Sequence, residues 1–262
     1  MNKFERTEML IGNAAVEKLR SSHVAVFGAG GVGGHAIEAL VRSGLGEITI
    51  IDADTVAVSN INRQAFATVK TVGMDKVDAA ELRIHEINPD CVVHKMCTFY
   101  LPETEFDFTK YDYVIDAIDT VSGKLAIAER CSRAEIPVIS AMGAGNKLDP
   151  TKFVVTDIYK TSTCPLAAVM RRELRKRGVP KLKVVYSTEP ALKPLFEPRD
   201  EQNDNKEENA PKTRRATPAS IAFVPSVCGL IIAGEVIRDL CGIRPNGTGR
   251  TLDGIGRELF TE

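Results

Sequence analysis

A glycine turn set between a strand and a helix constrains this chain more than any other feature. His23-Val24-Ala25-Val26-Phe27 is a short β-branched run that stops at Gly28-Ala29-Gly30-Gly31-Val32-Gly33-Gly34, after which His35 to Arg42 reads as a helix. Such a turn lets backbone N–H groups approach phosphate oxygens, with the partial positive charge of a helix N-terminus behind them. The rest of the first half repeats the alternation. Strands are expected over 47–51, 91–96, 113–115 and 137–139, and helices over 73–87 and 121–134, which means a parallel sheet covered on both faces. An amphipathic helix over 7–20 precedes them, because Leu10, Ile11, Ala14, Ala15 and Leu19 recur at helical spacing.

After Asp149-Pro150 the alternation loosens. A strand is expected over 153–158, a basic helix over 165–177, a strand over 183–187 and a buried helix over 227–240. Between them, residues 197–218 hold almost no large apolar side chains, so no core can form there and a mobile loop is expected. The expected division is a nucleotide-binding part over 1–150 and a C-terminal extension of the same sheet over 151–262. The 262 residues carry 34 Lys+Arg against 35 Asp+Glu, so bulk charge does not attract a polyanion, and any nucleic-acid surface must be local. One candidate exists: residues 160–193 hold nine basic residues against Glu173 and Glu189, and Lys212, Arg214 and Arg215 add to it further on. Tyr186 and Phe196 are candidates to stack a base, although Tyr186 also fits sheet core.

No secretory signal or membrane span is expected. The start is polar, and the apolar stretch Ile221–Gly234 holds Pro225 and Ser226 and is too short for a span of about 20 residues. The six cysteines form neither a disulfide framework nor a CxxC pair, which fits a reducing cytoplasm. Most of them fall in apolar stretches as packing residues. Cys164 alone stands before a helix N-terminus, the setting of a reactive thiol. His23 and His35 flank the glycine turn and read as packing or surface residues, while His85 and His94 carry no signal.

Asp52, at the end of the second strand and 19 residues past Gly33, stands where a ribose hydroxyl would be held, and up to this point an NAD dehydrogenase remains open. The run from Ile51 through Ser59-Asn60-Ile61-Asn62-Arg63-Gln64 separates the two. It is too polar for helix or strand, and it brings a guanidinium flanked by amides close to the glycine turn. Hydride transfer has no use for them, whereas cleaving a triphosphate needs cations on oxygens that gain charge. Lys76 offers a second cation. Asp119, just past the fourth strand, offers a carboxylate of the kind that holds Mg²⁺ through phosphates.

Gly28-x-Gly-Gly-x-Gly33, Asp52-x-Asp54, Ser59 to Gln64, Lys76 and Asp116-x-x-Asp119 together resemble the ubiquitin-activating-enzyme (ThiF/MoeB-like) superfamily over residues 5 to 145. Its members adenylate carboxylates with MgATP. The resemblance implies a three-layer, Rossmann-like α/β fold with a mixed, mainly parallel sheet and a smaller basic C-terminal extension. It also implies that Gly28, Gly30, Gly31 and Gly33 form the phosphate turn and that Asp52, with Asp54 beside it, holds the ribose. Asn60, Arg63, Gln64 and Lys76 would then contact phosphates, and Asp119 would hold Mg²⁺. Arg6 matches an arginine that reaches into a neighbouring subunit's ATP, so a homodimer is expected.

Beyond that region, Thr163-Cys164-Pro165-Leu166, the basic run Arg171 to Gly178 and Val184 to Ala191 are similar to the tRNA threonylcarbamoyladenosine dehydratases. Those enzymes use ATP to close the threonylcarbamoyl group beside a tRNA anticodon into a ring with loss of water. Cys164 stands where an acidic residue is expected from that pattern. An activating enzyme for a ubiquitin-like or sulfur-carrier protein, with Cys164 as acyl acceptor, is the alternative, and a non-catalytic scaffold is a third reading. The absence of two CxxC pairs counts against the carrier-activating branch. A cysteine desulfurase system is a further candidate partner.

Overall fold

The computed structural model describes residues 2–196 and 218–243. The loop expected over 197–218, apart from Pro218, and the basic residues Lys212, Arg214 and Arg215 lie outside the described residues. Seven strands form one open sheet: β1 (His23–Phe27), β2 (Glu47–Ile51), β3 (Val92–Met96), β4 (Tyr113–Asp116), β5 (Val138–Ala141), β6 (Phe153–Asp157) and β7 (Lys183–Ser187). Their order is β3-β2-β1-β4-β5-β7-β6, parallel throughout except for β6 against β7. Helices α3 (Gly33–Arg42), α4 (Lys76–Ile87) and α7 (Phe223–Cys241) cover one face, and α5 (Val121–Ala134) and α6 (Pro165–Lys176) the other. Burial on both sides is why β1 and β2 read as near-continuous apolar runs: Val24, Ala25, Val26, Phe27, Ile48 and Ile50 are all fully buried.

The strand order reverses between β1 and β4. Successive strands run outward from β1 in one direction and from β4 in the other, which leaves a crevice at their carboxyl ends. The second half builds onto this frame. β7 extends the parallel sheet from β5, β6 closes its edge, and α7 crosses back to pack on α3, where Gly229 lies against the Val32 carbonyl and Ala36. Tyr113 donates its hydroxyl to Asp239 at 2.6 Å, and Lys183 pairs with both Asp239 and Glu235, pinning α7 to the sheet. Burial, with Asp239 beside it, pushes the Tyr113 phenol far up.

Most boundaries fall within two residues of expectation, and three helices differ by more. The helix expected over 7–20 is two, α1 (Glu5–Ile11) and α2 (Asn13–Arg20), broken where Gly12 takes φ 84°. Its apolar stripe belongs to α2, since Ala15 and Leu19 are buried beside Cys241 while Leu10 is exposed. α4 starts at Lys76, after Gly73 turns with φ 87° and Thr55 bridges to Asp75. α7 starts four residues early, because Pro225 falls in its first turn, where a missing N–H costs nothing. Within the apolar stretch Ile221–Gly234, Ile232 and Ala233 are core, but Phe223 and Leu230 face outward. No helix among the described residues is long and apolar enough to cross a membrane.

Candidate functional site

A cavity of about 400 Å³ opens at the crevice between β1 and β4. Gly28, Gly30 and Gly31 form its floor, and two glycines of the turn are dictated by close approach. Gly28 has φ 91°, and a Cβ there would stand 2.8 Å from the Ala117 carbonyl oxygen of the neighbouring strand end. A Cβ at Gly33 would collide with the Gly28 carbonyl oxygen, so Gly33 does not line the cavity but lets α3 start against the turn. Gly30 has room towards the cavity, with only the Gln64 amide near by.

Asp52 leaves the end of β2 and locks the turn: its carboxylate accepts the Ala29 N–H at 2.7 Å and the Asp54 N–H at 2.9 Å. Lys76, the first residue of α4 and nearly buried, places its ammonium 2.6 Å from Asp54 and 3.8 Å from Asp52. The Lys76 N–H also donates to the Asp54 carbonyl, so Asp54 positions both the helix start and the ammonium.

The polar run 57–64 is wound around Asn60. Its side chain accepts the Ala57 N–H at 3.1 Å, and its carbonyl accepts the N–H groups of Arg63 and Gln64. The Arg63 guanidinium is held by the Ser59 carbonyl and the Asn62 side chain, both at 2.8 Å. His35, in the first turn of α3, bonds to the Arg63 carbonyl at 3.1 Å, which ties this run to α3 and gives the histidine a structural purpose.

Asp119 lies on the opposite rim, exposed, and its carboxylate accepts no hydrogen bond among the described residues. A hard oxygen donor facing phosphate-sized space suits Mg²⁺. The loop carrying it is fixed by a fully buried ion pair that sequence reasoning missed. Lys124 donates to Asp116 at 3.0 Å and to the Ile118 carbonyl at 3.1 Å, while Ser140 donates to the other Asp116 oxygen at 2.6 Å. The eight-residue spacing of Asp116 and Lys124 across a strand end and a helix start is the signal that was available.

Sequence reasoning confined the nucleotide site to residues 1–150, but the cavity is completed from beyond them by Pro218, Ser220 and Pro225, which face Ala144 and Gly145 in its lining. Asn62 donates to the Ser220 carbonyl at 3.0 Å, and Pro225 packs over Gly31. Thr98, Phe99 and Tyr100, just past β3, add a wall that carried no motif.

Arg6 is not brought to this cavity. It is exposed on α1, among the outward-facing Met9 and Leu10. Cys164 is also not in it. The thiol is 5% exposed, packed in a core with Leu125, Met142, Met170 and Leu174, and so is closed to the C-terminus of a carrier protein. The other buried cysteines have thiols raised by burial, Cys91 and Cys241 to about 11 and Cys228 to about 12, in keeping with packing roles. Tyr186 is buried sheet core, whereas Phe196 is exposed.

α6 begins near the cavity edge, since the Cys164 sulfur lies 3.9 Å from where a Gly143 Cβ would stand, and it exposes Arg172, Arg175, Lys176 and Arg177. Part of that charge is compensated: Arg172 and Lys176 pair with Glu173, and Arg177 with Glu129. Arg171 is instead turned inward onto Thr161.

The ThiF family model matches residues 4–259. A tRNA threonylcarbamoyladenosine dehydratase of Bacillus subtilis is 46% identical over 245 residues, 92% of this chain and 95% of that protein. One from Escherichia coli is 42% identical over 73% of this chain and 75% of its own length. The crystal structure of the E. coli enzyme, TcdA, in complex with ATP superposes with a TM-score of 0.77 at 33% identity, covering 91% of this chain and 93% of that one. With the glycine turn, the polar run and the α7 closure spread along the whole matched length, this chain belongs to the ThiF family.

Proposed function

We propose that this protein uses MgATP to dehydrate threonylcarbamoyladenosine in tRNA, next to the anticodon, through an adenylated carboxylate. The observation that carries this reading is the convergence of the glycine turn, Arg63, Lys76 and Asp119 on one cavity, in a chain that matches the named dehydratases over nearly their full length. Residues 1–150 supply most of the nucleotide site and residues 151–262 the tRNA-facing part. The threonyl carboxylate attacks the α-phosphorus and pyrophosphate leaves, with Arg63 and Lys76 offsetting the charge that builds on the phosphate oxygens. Gly28, Gly30 and Gly31 present backbone N–H groups to the phosphates, Asn60 and Gln64 add polar contacts, and Asp52 with Asp54 holds the ribose. Mg²⁺, held by Asp119, would add further compensation at the phosphates.

Ring closure by the carbamoyl group then expels AMP, which carries away the oxygen formally lost as water. Adenylation supplies the leaving group that a carboxylate lacks, so no protein nucleophile is needed, in keeping with the burial of Cys164. The reaction involves no sulfur, so a cysteine desulfurase enters this reading only as a non-catalytic partner. The cytoplasm, where ATP and tRNA are both present, is the proposed site of action. Nucleotide analysis tests the chemistry: modified tRNA should yield AMP and pyrophosphate in equal amounts, and ADP as the product contradicts it.

The exposed basic face of α6 is the proposed tRNA contact. Arg172→Glu with Arg175→Glu should weaken tRNA binding and flatten its salt dependence by about one counterion per lost phosphate contact, with ATP affinity unchanged. A wild-type salt slope in that variant would move the RNA to another surface. Arg6 serves the neighbouring subunit's ATP in a homodimer, a reading supported by the exposed apolar residues around it. Light scattering should give twice the chain mass, and Arg6→Ala should slow turnover by on the order of tenfold or more. A monomer with full activity contradicts this.

A further inference from the structure

At the amino ends of β1 and β2, far from the nucleotide crevice, three neighbouring strands bring His23, Glu47 and His94 together. The parallel register sets His23 beside Glu47 and His94 beside Thr49, so all four side chains emerge from one face of the sheet. Glu47 Oε1 stands 3.4 Å from His23 Nδ1 and 2.8 Å from His94 Nε2, and the potential ligand atoms of all three lie within 4.8 Å of one another. A tetrahedral ion with bonds of about 2.0–2.1 Å sets its ligand atoms about 3.3–3.4 Å apart, so two of the three edges are already within about 0.6 Å of that spacing.

The support around the ligands is also built. His23 Nε2 lies 2.8 Å from the hydroxyl of buried Thr49. With Nε2–H donated there, Nδ1 keeps its lone pair and faces Glu47, the tautomer a metal requires. Tyr111 packs edge-on against the imidazole, with ring centroids 4.6 Å apart, and fixes its plane. Glu47 and His94 are half exposed, leaving the outer side open to a water.

We propose that His23, Glu47 and His94 bind one borderline divalent transition ion, with Zn²⁺ the best match to two imidazoles and a carboxylate, and with water in the fourth position. Two nitrogen donors make the site unlike the oxygen set that Mg²⁺ takes, so it is separate from the ion at the triphosphate. It ties β1, β2 and β3 together, and Zn²⁺ binding should therefore stabilise the fold by mass action.

The test is titration of the chelator-treated, full-length protein with Zn²⁺ by calorimetry without nucleotide, and with Co²⁺ by visible absorption. One ion per chain, a tetrahedral Co²⁺ spectrum and at least about tenfold weaker binding in both His94→Ala and Glu47→Gln are expected. Both replaced side chains are half exposed, and unchanged ATP binding by the variants reports that they fold. Cys97→Ser, which removes the exposed thiol at the other end of β3, should leave the affinity unchanged. The proposal is overturned by Zn²⁺ binding no tighter than about 1 mM. Equal affinity in wild type and both ligand variants, or a loss confined to Cys97→Ser, overturns it as well.

Discussion

Arg63→Ala lowers the rate of adenylate formation by on the order of 10²-fold or more, the scale of losing one donor that stabilises transition-state charge. The guanidinium does not wander into place: the Ser59 carbonyl and the Asn62 side chain hold it at the cavity wall, and Asn60 holds the backbone beneath it. Alanine removes the charge and leaves that backbone scaffold intact, so stability should change little. Lysine is not an adequate replacement, because a single ammonium cannot keep both anchoring contacts and still present N–H groups to a phosphate. Pyrophosphate exchange driven by modified tRNA measures the effect, and a separate binding assay should find tRNA affinity unchanged. A variant with normal exchange would remove Arg63 from the chemistry.

Lys124→Met costs about 3–5 kcal/mol of folding stability, the range for stripping one partner from a buried ion pair. Lys124 is fully buried and Asp116 1% exposed, so the carboxylate left behind keeps only the Ser140 hydroxyl. Methionine preserves most of the volume, which confines the loss to electrostatics and hydrogen bonding. Adding Asp116→Asn to Lys124→Met should recover part of the loss, since the stranded charge is then gone. Urea unfolding reads both variants. ATP affinity should fall in the single variant as well, because Lys124 also fixes the Ile118 carbonyl next to Asp119. A loss below about 1 kcal/mol would mean that water reaches Asp116.

How much was legible in the sequence depended on how the groups are distributed along the chain. The glycine turn and the run 57–64 are each contiguous in sequence, and the cavity lining draws Gly28, Gly30, Gly31, Asn60, Arg63 and Gln64 from them. Pro218, Ser220 and Pro225 were not legible as cavity residues, because their place depends on α7 crossing back over α3, which no local pattern encodes. The break at Gly12 was hidden because apolar spacing runs through it, while a positive φ is a property of the backbone. His23, Glu47 and His94 lie far apart in sequence and meet only through parallel register, so His23 read as a packing or surface residue and His94 carried no signal. Cys164 stood before a helix as expected, but whether that helix start faced solvent was decided by the packing of α6 on α5.

The most direct test of the central claim is the mass of the nucleosides from tRNA carrying threonylcarbamoyladenosine, after incubation with this protein and MgATP. The modified nucleoside should lose the mass of one water, only when ATP is present, with one AMP formed per ring closed. An unchanged nucleoside mass in the presence of bound ATP would contradict it.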